Sequence, residues 1–312
     1  MPDQPRWGVV ATVKAPLREI MGFAAHHVEA GAHRVYLYLD DADAAQAEAL
    51  NAHPRLRVTV TDDTYWQKRG RRPEKHQVRQ TRNVRHALNR RQEVDWLAHI
   101  DVDEFLVSDQ PLGAVLCALP PDCLCARVRP VEGLANPGGG PPVWFKAFPL
   151  PHAERRAAAK AVFPTYGAQL NGGFLSHVAG KLLFRTGIDG LRAQIHNVFL
   201  DDRKNPGEVE LVGVELAHLH ATDWDRWQAH YSYRHAHGAY RSELKPAIDR
   251  AHGGETMHEL LARLEAAGAL RSFFEEACTA TEARREALAS HGLLRRYDLD
   301  LDAKIARHFP ES

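Results

Sequence analysis

The chain has 312 residues, of which 44% are hydrophobic and 26% are charged, the composition of an ordinary soluble globular protein. Its 40 basic and 40 acidic residues cancel, which disfavours a nucleic-acid-binding protein because such proteins normally carry a basic excess. The apolar runs are too short to cross a bilayer, and the N-terminus has no signal-peptide core. We therefore expect a cytoplasmic protein with no transmembrane segment, for which peripheral contact with a membrane stays open.

The first hundred residues alternate between predicted strands and predicted helices. Short apolar runs rich in β-branched and aromatic residues predict strands at 7–14, 34–40, 56–61 and 96–101. Helical spacing predicts helices at 18–31, in a segment that ends near residue 50, and at 74–91. This alternation predicts an α/β fold with a doubly wound, mainly parallel sheet.

The remainder of the chain is less regular. We predict a short helix at 111–119 and strands at 124–128, 181–185, 193–200 and 209–220, the last one interrupted at Gly213. A stretch rich in glycine and proline predicts a mobile loop at 132–142. Helices are predicted from residue 223 to about 290. The sequence thus predicts a catalytic domain at 1–222 and a helical C-terminal extension at 223–312.

Three acids stand at the carboxyl end of the fourth predicted strand, namely Asp101, Asp103 and Glu104, and a second apolar run begins directly after them. In open α/β sheets, ligands bind at the carboxyl ends of the strands. On an extended backbone Asp101 and Asp103 point the same way, and two neighbouring carboxylates repel unless a positive group lies between them. A hard divalent cation that also holds phosphate oxygens satisfies this requirement. The alternative is a pair of turn acids, but the flanking apolar runs distinguish this pair from other Asp-x-Asp pairs in the chain.

Two basic residues, Lys181 and Arg185, lie in another predicted apolar strand. Their even spacing places both on one face of that strand. Because a buried cation needs an anionic partner, they are candidates for binding a diphosphate, and a structural salt bridge is the alternative.

The chain resembles glycosyltransferases of the GT-A fold, within the broad family two-like group. The most specific part is Trp96 followed by Asp101–Leu106. Further residues that carry the resemblance are Lys14, His27 with Gly31, Val35–Asp40, Gly180–Lys181, Arg185, His196, His218–His220 and Trp227. The resemblance covers residues 7–240, and it departs from the family at Ala15–Pro16, where the family often has Asn-Glu.

This resemblance implies a metal-dependent transferase of the GT-A type. The donor is a nucleotide-diphosphate sugar, with UDP-sugars favoured, and the acceptor is a hydroxyl of a glycan or of a lipid-linked molecule, with inversion at the sugar. Mn²⁺ or Mg²⁺ would stabilise the departing diphosphate. The resemblance makes Asp103 the direct ligand and places Asp101 on the metal through water or on the ribose. His220 is the further ligand, with His218 and His196 as alternatives.

The resemblance also implies which residues contact the nucleotide, and these are Lys14, Asp40, Asp41, Gln80, Asn83, Lys181 and Arg185. Asp40 or Asp41 accepts the uracil N–H, and Gln80 and Asn83 share a helix face near the ribose. An inverting transferase needs a carboxylate base, for which Glu104 and Glu132 are the candidates and Asp189 is a third.

Three other functions are weighed against this one. A phosphatase of the haloacid-dehalogenase type also uses Mg²⁺ and an Asp-x-Asp pair, but on its first strand, whereas three strands precede the pair here. A sugar nucleotidyltransferase needs a phosphate loop rich in glycine and arginine, which Val9–Leu17 does not contain. A non-catalytic carbohydrate-binding protein has no need for the acid cluster.

Overall fold

The computed structural model describes residues 4–41, 44–90, 93–237 and 255–310. The protein is a mixed α/β structure whose central sheet has a parallel core, as the sequence predicted. The chain divides into two compact units. The first comprises Met1–Arg129, Ala179–Leu216 and Leu299–Ser312, and the second comprises Pro130–Val178 and Ala217–Asp298. The sequence predicted a single boundary after residue 222, and the assignment of catalysis to residues 1–222 stays a prediction.

The first unit begins with alternating strands and helices. Its elements are β1 (Trp7–Val13), α1 (Leu17–Glu29), β2 (Arg34–Leu39), α2 (Ala44–Asn51), β3 (Leu56–Val60), α3 (Asp63–Gln67), α4 (His76–Leu88) and β4 (Trp96–His99). Strands β2 and β4 pair in parallel with β1, and β3 pairs in parallel with β2. All four predicted strands are present. The one helix that the sequence did not predict here is α3, a short helix capped by the side chain of Asp62.

The rest of the first unit extends this sheet. Its elements are β5 (Glu104–Ser108), α5 (Leu112–Cys117), the start of β6 (Cys125–Gly133), β8 (Lys181–Arg185), β9 (Leu191–Ala193), β10 (Val198–Leu200), β11 (Arg203–Lys204), most of β12 (Val209–His218) and α11 (Leu301–His308). Strand β8 lies antiparallel between β4 and β6, so the order is β6-β8-β4-β1-β2-β3.

A separate three-stranded antiparallel sheet is formed by β9, β10 and β11. The single strand predicted at 193–200 is therefore wrong. The chain turns between the two strands, where the Gln194 N–H donates to the Asn197 carbonyl at 2.8 Å. The prediction failed because both strands and the turn between them contain apolar residues.

The second unit contains the end of β6 and most of the remaining helices. Its elements are β7 (Trp144–Lys146), α6 (His152–Val162), α7 (Trp224–His237), α8 (Met257–Ala266), α9 (Leu270–Cys278), α10 (Glu282–Ser290) and β13 (Leu294–Arg296). Strand β7 pairs antiparallel with β6 and with β13. The helices predicted from residue 223 onward are present as α7–α10, and residues 238–254 of that prediction lie outside the described residues. The loop predicted at 132–142 begins later than expected, because Glu132 and Gly133 pair with β7.

Each unit has its own hydrophobic core. In the first unit Tyr38, Trp66 and Phe184 belong to a buried cluster that the helix α4 covers through Val84. In the second unit the core is aromatic and is centred on the helices, with Trp227 and Phe273 buried in it. No helix among the described residues is long and apolar enough to cross a membrane.

Candidate functional site

The acid cluster of the first unit lies in a tight turn. Strand β4 ends at His99, and the Glu104 N–H donates to the Asp101 carbonyl at 3.1 Å before β5 begins. The extended backbone predicted through Asp101 and Asp103 is therefore wrong. The turn points the Glu104 side chain back, so that its carboxylate accepts the Asp101 N–H at 2.8 Å. The turn thus rigidly fixes Asp101 at the carboxyl end of a parallel strand, where ligands bind in such sheets.

A buried lysine holds this cluster together. The Lys181 ammonium on β8 lies 2.7 Å from Asp101 Oδ2 and 3.2 Å from Glu104 Oε2. Burial lowers the pKa of Lys181, but the two carboxylates outweigh it and the net effect is a raised pKa. Burial raises the pKa of Asp101, but the attraction of Lys181 outweighs it and keeps the net pKa below its usual value. At neutral pH Lys181 and Asp101 are therefore both charged, and the predicted salt bridge of Lys181 is present.

The helix α4 presents Gln80 to the same carboxylate and carries His76 on the same helix face. The Gln80 amide donates to Asp101 Oδ1 at 2.5 Å, so both oxygens of Asp101 accept hydrogen bonds. His76 lies one turn earlier on the same helix face. Burial lowers the pKa of His76, and the charges of Asp101 and Asp40 offset this effect only in part, so the net pKa is lowered. The sequence prediction missed His76, although its i, i+4 spacing from Gln80 was a usable signal.

The ends of β1 and β2 carry the other predicted nucleotide contacts. Asp40 is 1% exposed, and its carboxylate accepts hydrogen bonds from Arg72 and Arg79 at 2.8 Å each. Asp41 is exposed, adopts a positive φ of 77°, and pairs with the exposed Lys14 at 2.8 Å. Because β1, β2 and β4 run parallel, these side chains follow strand ends at the same edge of the sheet as Asp101.

Two predicted nucleotide contacts lie elsewhere. Asn83 is buried, where its amide donates to Thr12 at 3.0 Å and accepts from the Tyr65 hydroxyl at 2.8 Å. Arg185 pairs with Trp96, at the start of β4 rather than at its end, and its guanidinium lies 4.6 Å from the Trp96 ring centroid. The structure therefore brings Lys181 to Asp101 and leaves Arg185 at the other end of the strand.

The second unit contains a buried ion pair of its own. Glu132 lies 2.9 Å from the Lys146 ammonium, and each side chain is 1% exposed. The Glu132 carboxylate also accepts the N–H groups of Leu175 and Ser176, at 3.2 and 2.9 Å. Burial raises the pKa of Glu132, but Lys146 first and His220 next outweigh it, and the net pKa is lowered to about 2. Glu132 is thus a strongly held anion.

Histidines cluster at the end of β12 in the second unit. His218 and His220 each present a ring nitrogen, and these atoms lie within 4.8 Å of one another. The His177 ring centroid lies 6.3 Å from that of His218, and the sequence prediction missed this residue. Imidazole nitrogens are suitable ligands for a divalent ion. His196, the third candidate, belongs to the first unit, where its Nδ1 lies 2.9 Å from the Gly180 carbonyl.

The two predicted catalytic carboxylates are both held in buried ion pairs. Glu104 is fully buried against Lys181, and Glu132 is fully buried against Lys146. A general base must reach the hydroxyl that it deprotonates, and its pKa should lie near the working pH. The geometry therefore disfavours both residues as the base in the described conformation.

The chain is similar to the galactosyltransferase LgtC, solved in complex with donor and acceptor sugar analogues, at 16% identity, a TM-score of 0.29 and 57% coverage of each chain. It is also similar to a mycobacterial protein at 15% identity, a TM-score of 0.33 and 66% coverage of each chain. The chain thus spans less than two thirds of the length of either structure, and at these TM-scores neither similarity supports a conclusion about activity. No family model matches the chain, and no curated protein matches its sequence.

Proposed function

We propose that the protein is a metal-dependent glycosyltransferase. It would transfer a sugar, with inversion, from a nucleotide-diphosphate sugar to a hydroxyl of a glycan or lipid-linked acceptor. The observation that supports this most is the position of Asp101, which is anchored by Gln80 and Lys181 at the carboxyl edge of the parallel strands. Two further strands contribute polar side chains to that edge, namely Lys14 after β1 and Asp41 after β2.

The metal ligands that we propose are Asp103 and His220, with Asp101 acting through water or on the ribose. Mn²⁺ or Mg²⁺ would supply Lewis-acid stabilisation of the departing diphosphate. The residues fit such an ion, since carboxylate oxygens suit both metals, whereas an imidazole ligand favours Mn²⁺ over the harder Mg²⁺. His218 is the alternative to His220, because their ring nitrogens lie within 4.8 Å of one another.

Lys181 and Gln80 keep the Asp101 carboxylate charged and oriented. Each holds one of its oxygens, at 2.7 and 2.5 Å. Lys181 is also the buried cation nearest to the acid cluster in the first unit, so it is our candidate for balancing the charge of a bound diphosphate. A carboxylate that is already oriented avoids a reorganisation cost when the substrate binds.

Asp41 is our candidate for reading the base of the nucleotide. Asp40 is almost fully buried and already accepts from two guanidinium groups, whereas Asp41 is exposed and pairs at the surface with Lys14, so water screens this pair. An exposed carboxylate can accept the uracil N3–H, a donor that cytosine lacks, so Asp41 favours UDP-sugars over CMP-sugars. Lys14 would then be released to approach the diphosphate.

Calorimetry with UDP tests the metal site. We expect UDP to bind much more tightly with Mn²⁺ than with EDTA, and we expect Asp103→Asn to bind only at the EDTA level. Asp202→Asn is the matched control, because it removes an exposed carboxylate in the turn before β11. Equal binding by wild type and Asp103→Asn, with no effect of the metal, would remove the metal assignment.

A screen of UDP-, GDP-, dTDP- and CMP-sugars for donor hydrolysis tests the reaction itself. We expect UDP-sugars to be hydrolysed fastest and the activity to require Mn²⁺ or Mg²⁺. A preference for GDP-sugars would contradict the prediction that Asp41 binds uracil. Release of inorganic phosphate from a simple phosphate ester, without cleavage of any nucleotide sugar, would instead indicate the phosphatase.

A further inference from the structure

A cavity of about 590 Å³ opens in the first unit between the C-terminal end of α4 and the turn that joins β8 to β9. This volume falls within the range of about 300–1,000 Å³ that is typical of small-molecule sites. Its lining includes four arginines and one aspartate, namely Arg85, Arg90, Arg185, Arg192 and Asp189. None of these residues lies at the acid cluster, although the sequence predicted Arg185 as a nucleotide contact and Asp189 as a third candidate for the base.

The lining is strongly basic in a chain whose formal net charge is zero. Four arginines face one aspartate. The partners of three of these arginines are main-chain carbonyls: Arg85 donates to Ala193 at 3.3 Å, Arg192 to Asp201 at 2.7 Å and Arg185 to Cys123 at 2.8 Å. Within the described part of the chain, these three guanidinium groups form no ion pair with a carboxylate. The main-chain carbonyls accept hydrogen bonds from these three arginines but do not neutralise their positive charge.

Three residues of the cavity lining are apolar. Leu191 is buried, and Leu88 and Ile188 pack against the core cluster of the first unit as partly buried residues. A ligand that fits must therefore combine an apolar or planar body with an anionic group. Guanidinium groups match the geometry of phosphate oxygens better than an ammonium does, because they donate two parallel hydrogen bonds.

We propose that this cavity binds a small soluble molecule that carries a phosphate or diphosphate group. The phosphate lies against Arg85 and Arg192, whose guanidinium groups keep donors beyond the single carbonyl contact of each. Arg185, whose guanidinium lies over the Trp96 ring, adds positive charge to the lining. The body of the ligand covers Leu88 and Ile188.

This site is separate from the acid cluster of the same unit. Arg185 pairs with Trp96 at the start of β4, whereas Asp101 follows the end of that strand. At about 3.3 Å per strand residue, five residues separate the two positions by roughly 16 Å. Binding in the cavity therefore requires no metal and does not involve Asp101 or Asp103.

Calorimetry with inorganic pyrophosphate in the presence of EDTA tests the proposal, because EDTA silences the metal-dependent donor site. We expect the full chain to bind pyrophosphate, and we expect Arg85→Gln and Arg192→Gln each to weaken binding by about tenfold. Arg203→Gln is the matched control, since Arg203 is an exposed arginine on the same small sheet as Arg192 but outside the cavity. Asp103→Asn should bind pyrophosphate as wild type does.

Several outcomes would overturn the proposal. Absence of pyrophosphate binding in EDTA, or equal weakening by Arg203→Gln, would show that the cavity is not a specific site. Binding that requires Mn²⁺ and disappears in Asp103→Asn would assign the anion to the donor site instead. Cosedimentation with phosphatidic acid vesicles without binding of pyrophosphate would indicate a lipid headgroup and refute a soluble ligand. Circular dichroism of each single variant confirms that the loss of binding is not a loss of fold.

Discussion

Replacing Lys181 with methionine removes the cation that two carboxylates share, while it nearly preserves the length of the side chain. Lys181 is 2% exposed and Glu104 is fully buried, so the variant leaves a carboxylate without its counterion in the interior. Removing one partner of a buried ion pair costs about 3–5 kcal/mol. Asp101 adds less to this loss, because its side chain is 34% exposed and water screens its charge. We therefore expect Lys181→Met to lower the free energy of unfolding by about 3–5 kcal/mol.

The assay is urea unfolding at neutral pH, followed by far-ultraviolet circular dichroism. Lys204→Met, an exposed lysine on β11, serves as the control and should change the free energy of unfolding by less than about 0.5 kcal/mol. The double variant Lys181→Met/Glu104→Gln removes the uncompensated charge and should recover roughly 1–3 kcal/mol of the loss.

A free energy of unfolding for Lys181→Met within about 1 kcal/mol of wild type would refute this reasoning, because an uncompensated buried carboxylate should cost more than that. A double variant that is less stable than Lys181→Met would refute it as well. That outcome would mean that Glu104 is stabilised by groups other than the lysine.

Two further variants test a buried ion pair in the second unit and a glycine with a positive φ in the first. Burial raises the pKa of Glu132, but the charge of Lys146 outweighs burial and the pKa falls from 4.5 to about 2. The contribution of Glu132 to the free energy of unfolding is therefore fully present above pH 4.5 and is lost as the pH falls through about 2. Between pH 4.5 and pH 2, the free energy of unfolding of wild type should fall by about 3 kcal/mol more than that of Glu132→Gln. Urea unfolding at a series of pH values measures this difference. An equal dependence of the free energy of unfolding on pH in both proteins would contradict it. Gly180 has a φ of 72°, and a Cβ there would lie 2.1 Å from the Val128 carbonyl oxygen, so Gly180→Ala should cost about 1–3 kcal/mol in thermal unfolding. Gly138→Ala, which meets nothing within 4 Å, should be almost neutral, and a similar loss in both variants would show that sterics are not the cause.

Much of the first unit could be predicted from the sequence, because local patterns determine it. The strands β1, β2, β3 and β4 are short apolar runs, and their alternation with amphipathic helices requires parallel pairing through crossover connections. The Asp101–Glu104 acids were found for the same reason, since they interrupt an apolar pattern at the carboxyl end of a strand. The GT-A resemblance, the donor and the metal ligands remain proposals.

Tertiary structure decided how those acids are used. Residues 101–103 form a turn, and only the pairing of β4 with β8 places Lys181 beside both Asp101 and Glu104. The even spacing of Lys181 and Arg185 suggested a shared role, but the register of β8 sends Arg185 to the opposite end of the strand, where it lines a basic cavity. Periodicity along a chain reports which residues share a face, but not which residues lie opposite them. The contacts that set charge at these sites join positions about eighty residues apart, so they depend on a register that no local pattern contains.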